Sequence, residues 1–386
     1  MAVSQCIEAF RSEISEEQLT DVRERLRRTR WPDSTGSGWE DGTDLAYLRE
    51  LVDYWIERFD WRAQEARLNA FPQFRVQLDG FGIHVIHVRG KGPAPLPLIL
   101  THGWPGSVFE MLNIVPRLTD PERYGGRPED AFDLVVPSLP GYGFSDRPRS
   151  PGMNPHTIAD LWADLMSALG YERFGAQGGD WGAGVSTQLA IAHPQRLIGV
   201  HLNYMMRSFL TGPSFEPDGL DPAERAYFAH VERWTASEGG YAHIQGTKPQ
   251  TVAYALNDSP AGLAGWIVEK FRTWSDCEGD LESVFSKDEL LANVALYWFT
   301  QTIGSSMRLY RERQLKPPQP AEGGRPPTPF GFAAFPKELA TPPRTLIERA
   351  FALQRYTTMP RGGHFAALEE PELLAGEIAA FFRPLR

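Results

Sequence analysis

The stretch Gly178-Gly179-Asp180-Trp181-Gly182 decides the fold of this chain. It follows a short apolar run, Phe174-Gly175-Ala176, and precedes a helical pattern that begins near Ala183. This order fits a nucleophile elbow, a sharp strand-to-helix turn that lifts one side chain above a sheet. Glycines flank the lifted residue because the tight turn leaves no space for a Cβ on its neighbours. On its own the motif is a modest signal, because an aspartate that opens a helix is more often an N-cap.

The lifted residue of this elbow is Asp180, at the position where esterases and lipases place a serine. A carboxylate is already charged at neutral pH, so it needs no base before it attacks. Displacement at a saturated carbon would leave an ester on the enzyme. The residue type therefore indicates a reaction different from that of the serine enzymes.

Apolar, strand-like runs alternate with amphipathic helical patterns on both sides of the elbow. Short buried strands separated by such helices predict a doubly wound, mostly parallel sheet of the α/β class with helices on both faces. Ligand sites in such sheets lie at the carboxyl ends of the strands, where Asp180 is expected. The strands are predicted at 96–100, 132–136, 173–177 and 197–202, and the flanking helices at 157–169 and 183–193.

The rest of the chain divides by changes in hydrophobic period. We expect an N-terminal helical region with a hairpin at 1–90, a first half of the sheet domain at 91–204, a helical cap at 205–315, and a connector with the second half at 316–386. The cap is expected to carry helices at 222–234, 262–274 and 288–311, and the last helix of the chain is expected at 371–382.

Residues 1 to about 70 are expected to be helical. Ser15-Glu16-Glu17-Gln18 is a capping box for a helix that should end at Trp31-Pro32, and Thr43 is the expected cap of the next helix. A change to alternating apolar residues from Phe74, with a turn at Asp79-Gly80, predicts the hairpin.

Composition excludes several classes of function. The 386-residue chain has a formal net charge of −10, which argues against nucleic acid or an anionic membrane as a partner. Cys6 and Cys277 are the only cysteines and lack metal-type spacing, so we expect neither a disulfide framework nor a cysteine zinc site. Residues 1–6 lack the character of a signal peptide, and no window approaches the ~18 apolar residues of a membrane span. The sequence therefore predicts a cytoplasmic protein.

A nucleophilic elbow needs donors for the oxyanion that forms on its carbonyl. In this architecture they are the backbone N–H after the nucleophile, here Trp181, and one from the loop after an early strand. The loop Thr101-His102-Gly103-Trp104-Pro105-Gly106 follows such a strand, so Trp104 N–H is the expected second donor. His102 is expected to hold the loop's shape rather than to act as a base.

The catalytic base should come late in the chain, since the order for such a triad is nucleophile, acid, histidine. His364 stands in the glycine-flanked loop Arg361-Gly362-Gly363-His364-Phe365, before the final helix. Its acid partner should follow the preceding strand, where Phe335-Pro336-Lys337-Glu338 offers Glu338, while Glu348 lies in a helical pattern.

Taken together, these motifs resemble the microsomal-type branch of the α/β-hydrolase epoxide hydrolases, nearly end to end. The resemblance rests on Arg30-Trp31-Pro32-Asp33, on His102-Gly103-Trp104-Pro105, on Gly179-Asp180-Trp181-Gly182, on Leu256-Asn257-Asp258-Ser259-Pro260 and on Arg361-Gly362-Gly363-His364-Phe365-Ala366-Ala367. The fold that it implies is the α/β-hydrolase fold with a helical cap.

The resemblance assigns roles residue by residue. It implies that Asp180 is the nucleophile, His364 the base and Glu338 its acid partner, and that two cap tyrosines, Tyr241 and Tyr310, act as acids on the epoxide oxygen. The chemical need is real, because an alkoxide is a poor leaving group unless a donor meets it. The alternative for each tyrosine is an ordinary amphipathic packing residue.

The expected reaction converts a small apolar epoxide to a vicinal diol, without a metal or an organic cofactor. Tyr142 and Phe144 are expected in the pocket wall. The mammalian members carry an N-terminal membrane anchor whose apolar stretch is not found in this sequence, so their microsomal location is not expected here.

The residues alone leave two other functions open. A haloalkane or haloacid dehalogenase also uses an elbow aspartate and a histidine, with Trp181 as a candidate halide donor, but it needs no paired tyrosines. A catalytically silent ligand-binding protein of the same fold would normally lack a triad member. The sequence leaves open the particular epoxide, a role in detoxification or in biosynthesis, and the oligomeric state, for which a homodimer is one option.

Overall fold

A nine-stranded sheet forms the centre of the protein in the computed structural model, which describes residues 6–212, 215–318, 320–321 and 324–386. The strand order is β1-β2-β3-β5-β4-β6-β7-β8-β9, antiparallel from β1 to β3 and between β3 and β5, and parallel elsewhere. The strands are β1 Ile7–Phe10, β2 Gln73–Leu78, β3 Phe81–Val88, β4 Leu96–Thr101, β5 Phe132–Pro137, β6 Phe174–Gly178, β7 Leu197–Leu202, β8 Pro329–Ala334 and β9 Ala352–Thr358. The mostly parallel, doubly wound sheet is confirmed.

Helices pack on both faces of this sheet and above its carboxyl edge. They are α1 Glu16–Arg27, α2 Leu45–Glu57, α3 Trp61–Asn69, α4 Val108–Met111, α5 Val115–Thr119, α6 Pro155–Ala168, α7 Asp180–Ala192, α8 Pro222–Glu238, α9 Gly240–Thr247, α10 Pro249–Leu256, α11 Pro260–Trp274, α12 Lys287–Thr300, α13 Ile303–Leu315, α14 Arg344–Ala350, α15 Ala366–Glu369 and α16 Pro371–Phe382.

The register of the central strands brings their carboxyl ends side by side. Thr101 at the end of β4 pairs with Gly178 at the end of β6, and Gly178 pairs with Leu202 at the end of β7. The loops that follow β4, β6 and β7 therefore meet at one edge, which is where open parallel sheets bind ligands.

The N-terminal region differs from the helical expectation. Ile7–Phe10 forms β1, which pairs antiparallel with β2, because the hairpin strand β2 has a free edge that accepts it. The capping box at Ser15 is confirmed, but α1 ends at Arg27 rather than at Trp31-Pro32. Asp44, not Thr43, caps α2, and the Thr43 hydroxyl instead donates to the carbonyl of Gly265 in α11.

Between β7 and β8 the described residues form no strand, and the helices α8 to α13 carry most of this segment. The single helix expected at 288–311 is wrong: it is divided into α12 and α13 because Gln301 adopts a left-handed conformation, with φ 51°. The division of the chain at 90, 204 and 315 stays a prediction.

In the described parts of the chain, no helix is long and apolar enough to cross a membrane. The sequence predicts no signal peptide at residues 1–6. Residues 1–5 of this stretch lie outside the described residues.

Candidate active site

Asp180 stands at the first position of α7, directly after β6, with a positive φ of 45°. Only a few per cent of non-glycine residues adopt such a backbone, and it marks strain that the surrounding structure must impose. A Cβ on Gly178 would collide with the backbone of Gly182, and one on Gly182 would collide with the carbonyl oxygen of Thr101. The flanking glycines are thus required by the close approach of the elbow to itself and to β4.

The loop after β4 passes directly over the carboxylate. The amide of Trp104 donates to Oδ1 of Asp180 at 2.7 Å, as expected of an oxyanion donor. The amide of Trp181 belongs to the first turn of α7, where N–H groups have no acceptor within the helix.

His102 supports this loop through both of its ring nitrogens. Its Nδ1 lies 3.0 Å from the carbonyl oxygen of Gly103, and its Nε2 accepts from the amide of Leu139 at 3.2 Å. Burial lowers the pKa of His102 to about 4, so the ring is neutral at physiological pH. The expectation that His102 holds backbone is confirmed.

His364 and Glu338 meet because their loops run alongside each other beyond β8 and β9. Lys337 and Gly363 form an isolated parallel bridge, and the amide of Lys337 donates to the carbonyl of Gly362. Nδ1 of His364 lies 2.6 Å from Oε1 of Glu338, and its Nε2 lies 3.4 Å from Oδ2 of Asp180. The second distance is long for a hydrogen bond. The three side chains are therefore aligned as a triad around an almost fully buried imidazole, whose side chain is 2% exposed.

Two influences on the pKa of His364 oppose each other. Burial lowers it, but the negative charges of Glu338 and Asp180 outweigh burial and raise the pKa well above its usual range. One of these two charges would disappear if Asp180 were esterified.

Tyr241 in α9 and Tyr310 in α13 face this triad from above. The Tyr241 ring stacks on Trp104 at 5.3 Å, and the Tyr310 ring meets Trp181 edge-on at 4.7 Å. The two phenol rings meet edge-on, with their centroids 5.8 Å apart. Burial, and then the charge of Asp180 among other influences, raise the pKa of both phenols, so both keep their protons and can donate.

Glu369, which sequence reasoning missed, holds the backbone on both sides of the histidine. Its carboxylate accepts from the amides of Gly363 at 2.9 Å, of Phe365 at 2.8 Å and of Asp276 at 2.8 Å. Burial nevertheless raises the pKa of Glu369 to about 7. In the sequence Glu369 is five residues beyond His364 and has no feature that distinguishes it from an ordinary helical carboxylate.

The two expected wall residues differ in position. Tyr142 is buried, with its ring 5.4 Å from that of His102, and its hydroxyl donates to the carbonyl of Ser306. Phe144 packs against Phe10 at 5.0 Å and His84 at 5.3 Å. The ring of Phe144 therefore packs against the last residue of β1, which the sequence did not predict, and its place in the pocket wall stays a prediction.

Among the described residues, no group of three or more His, Cys, Asp or Glu side chains is arranged to hold a metal ion.

The fold and this site define a hydrolase of the α/β-hydrolase fold whose elbow residue is an aspartate. A family model described as the alpha/beta hydrolase fold matches residues 97–243, and one described as the epoxide hydrolase N terminus matches residues 7–111. Epoxide hydrolase 1 of Oryctolagus cuniculus is 40% identical over 97% of this chain and 88% of the rabbit protein. The chain belongs to the epoxide hydrolase family.

Two solved structures extend the similarity to the whole fold. Juvenile hormone epoxide hydrolase from the silkworm Bombyx mori has a TM-score of 0.88 at 32% identity, covering 99% of this chain and 95% of that one. Aspergillus niger epoxide hydrolase has a TM-score of 0.86 at 32% identity, covering 99% and 97%. The protein is therefore an epoxide hydrolase, and the dehalogenase and silent-receptor alternatives are set aside.

Proposed function

We propose that the enzyme opens its epoxide by forming a covalent ester on Asp180 and then hydrolyses that ester. The observation that carries the proposal is that Nε2 of His364 lies 3.4 Å from Oδ2 of Asp180, while Tyr241 and Tyr310 pack on the adjacent Trp104 and Trp181. One carboxylate oxygen is held by the Trp104 amide at 2.7 Å, which leaves Oδ2 as the attacking atom.

In the first step, Oδ2 attacks a ring carbon while the C–O bond of the epoxide breaks. Tyr241 and Tyr310 donate to the departing oxygen, and one of them gives up its proton, so that an alcohol forms in place of an alkoxide. Their raised pKa values support this role, because the hydroxyls are protonated when the ring opens.

In the second step, His364 takes a proton from water, and the water oxygen attacks the ester carbonyl. The oxyanion forms on Oδ1, where the Trp104 amide already donates and where we place the Trp181 amide as the second donor. Loss of the Asp180 charge in the ester lowers the pKa of His364 and so frees Nε2 to act as a base.

The substrate is a small apolar epoxide. The aromatic rings around the two hydroxyls support this, since Trp104, Trp181 and Trp274 each pack against one of the tyrosines.

A cytoplasmic location is supported by the cysteines, because Cys6 and Cys277 are both free. A homodimer is also proposed, and a measurement of the molecular mass in solution tests it.

Isotope transfer tests the covalent step. A single turnover in heavy-oxygen water, with enzyme in excess over styrene oxide, should give mostly unlabelled diol and place the label in the peptide that carries Asp180. His364→Gln should open the ring and stall, so that intact-protein mass shows enzyme plus one substrate. Label in the first-turnover diol, together with no adduct in His364→Gln, would reject Asp180 as the nucleophile.

A further inference from the structure

Glu110 is a carboxylate that the steps above do not use. It lies in α4, the short helix that follows the Trp104 loop, and its side chain folds back against that loop. A Cβ on Gly106 would collide with Oε2 of Glu110, so the glycine makes room for the carboxylate. Within the described residues this carboxylate, which is partly exposed, has no hydrogen-bond partner.

The same carboxylate faces a small cavity behind the nucleophile. The cavity has a volume of about 10 Å³, which is the space that one water molecule needs. A buried water also needs two to four polar partners, and the cavity wall provides them. Its polar lining comprises Glu110, Asp180, His364, His102, Gln177 and Asn203.

We propose that Glu110 binds the attacking water in this cavity and orients it, beside His364, for hydrolysis of the ester. The inference rests on the proposed function and adds to it a residue that touches the reacting oxygen. The cavity joins three groups that this step requires: the carbon to be attacked, the base, and a second acceptor for the water.

In this step one O–H of the water points to Nε2 of His364, which takes that proton, and the other O–H donates to the Glu110 carboxylate and stays intact. The oxygen lone pair forms a bond to Cγ of Asp180, and the carbonyl electrons move to Oδ1. Collapse breaks the bond from Cγ to the diol oxygen, which takes the proton back from His364. The proton left on the Asp180 carboxyl offsets the one that a tyrosine lost at ring opening.

Three influences dominate the pKa of Glu110. Burial raises the pKa of Glu110 to about 8, the positive charge of His364 opposes the rise, and the negative charge of Asp180 adds to it. Esterification removes the Asp180 charge, which lowers the pKa of Glu110, whereas loss of the His364 proton removes a positive charge and raises it. The two changes oppose each other, so the role of Glu110 rests on the geometry of the cavity.

The test separates ring opening from ester hydrolysis in the variant Glu110→Gln. Styrene oxide is mixed with excess enzyme, the reaction is quenched over time, and intact-protein mass gives the rise and decay of the adduct. Ring opening should stay within about 2-fold of the wild type, while the ester should persist roughly 10-fold longer or more, because the neutral amide oxygen of glutamine holds the water more weakly than a carboxylate does.

A matched control removes a buried carboxylate far from the site. Glu377→Gln breaks the pair with Arg355, where Nε lies 2.6 Å from Oε1, so it should lower the melting temperature without lengthening the ester lifetime. A Glu110→Gln variant that fails to fold is replaced by Glu110→Asp, which draws the carboxylate out of the cavity and should also lengthen the ester lifetime.

Two results would overturn the role of Glu110: an ester lifetime unchanged from the wild type, or an equal loss in both steps, which a merely structural residue would cause. Failure of the proposed function looks different. In that case the wild type itself shows no adduct and places the heavy oxygen in its first diol, whatever the Glu110 variant does.

Discussion

Nδ1 of His364 lies 2.6 Å from Oε1 of Glu338, which stands 26 positions earlier in the chain. The same carboxylate oxygen also accepts from the amide of Leu339 at 2.7 Å, so its position is fixed from a second side. This contact determines that Nδ1 carries a proton and that Nε2 faces Asp180.

Glu338→Gln should slow ester hydrolysis on the order of 10²- to 10⁴-fold, since the imidazole loses the charge that orients it and raises its basicity. Ring opening should change less. Rapid-quench mass measurements give both rates. The control is Glu348→Gln, which removes the other candidate acid from its exposed pair with Arg344 in α14 and should leave both rates intact.

The rings of Tyr241 and Tyr310 meet edge-on with their centroids 5.8 Å apart, so each hydroxyl can partly replace the other as a donor. Either Tyr→Phe change should lower the rate of ring opening about 10- to 100-fold, and the double change should lower it beyond about 10⁴-fold. Tyr254→Phe, at a cap tyrosine that is 72% exposed, serves as the control. A double variant that opens the ring at a near-native rate would remove both residues from the mechanism.

Glu369→Gln should loosen the backbone around His364. The amide group of glutamine cannot accept all three backbone donors that Glu369 accepts, and each unsatisfied N–H costs about 1–3 kcal/mol. We expect a lower melting temperature and a longer ester lifetime. Glu372→Gln, an exposed residue of α16, should change neither, and an unaltered ester lifetime in Glu369→Gln would show that the loop does not need this carboxylate.

Gly182→Ala should destabilise the protein by about 1–3 kcal/mol or more and abolish activity, because the new Cβ would overlap the Thr101 carbonyl oxygen. Gly376→Ala is the matched comparison, since a Cβ there meets open space within α16 and should stabilise the protein by about 0.5–1 kcal/mol. Thermal unfolding measures both. Equal melting temperatures would contradict the steric reason given for the elbow glycine.

The raised pKa of Glu110 predicts a pH dependence of stability. The unfolded chain loses this proton near its ordinary value of 4.5, whereas the folded protein keeps it up to about 8. The folded state therefore binds more protons in this window, and its stability falls as the pH rises through it. Glu110→Gln removes this loss, so its melting temperature should gain on the wild type between pH 5 and pH 8. A constant difference across this range would show that Glu110 is ionised normally.

Local sequence was sufficient to predict where the elbow and the oxyanion loop lie and in which order the triad residues follow along the chain. Gly178 and Gly182 flank Asp180 because of contacts within a few residues of the turn and with the adjacent strand, and such steric demands leave a recognisable pattern. The pattern of apolar residues was likewise sufficient to predict the parallel strands, because these strands are buried on both faces and are therefore apolar along their length.

Tertiary structure alone decided the features that depend on contacts between distant segments. Ile7–Phe10 becomes a strand only because the edge of β2 is free to pair with it, and its last residue then packs against Phe144. Glu110 and Glu369 look like ordinary helical carboxylates in the sequence. Their burial beside Asp180 and His364 raises their pKa values, and burial is a property of the packed fold rather than of the residue or its neighbours in the chain.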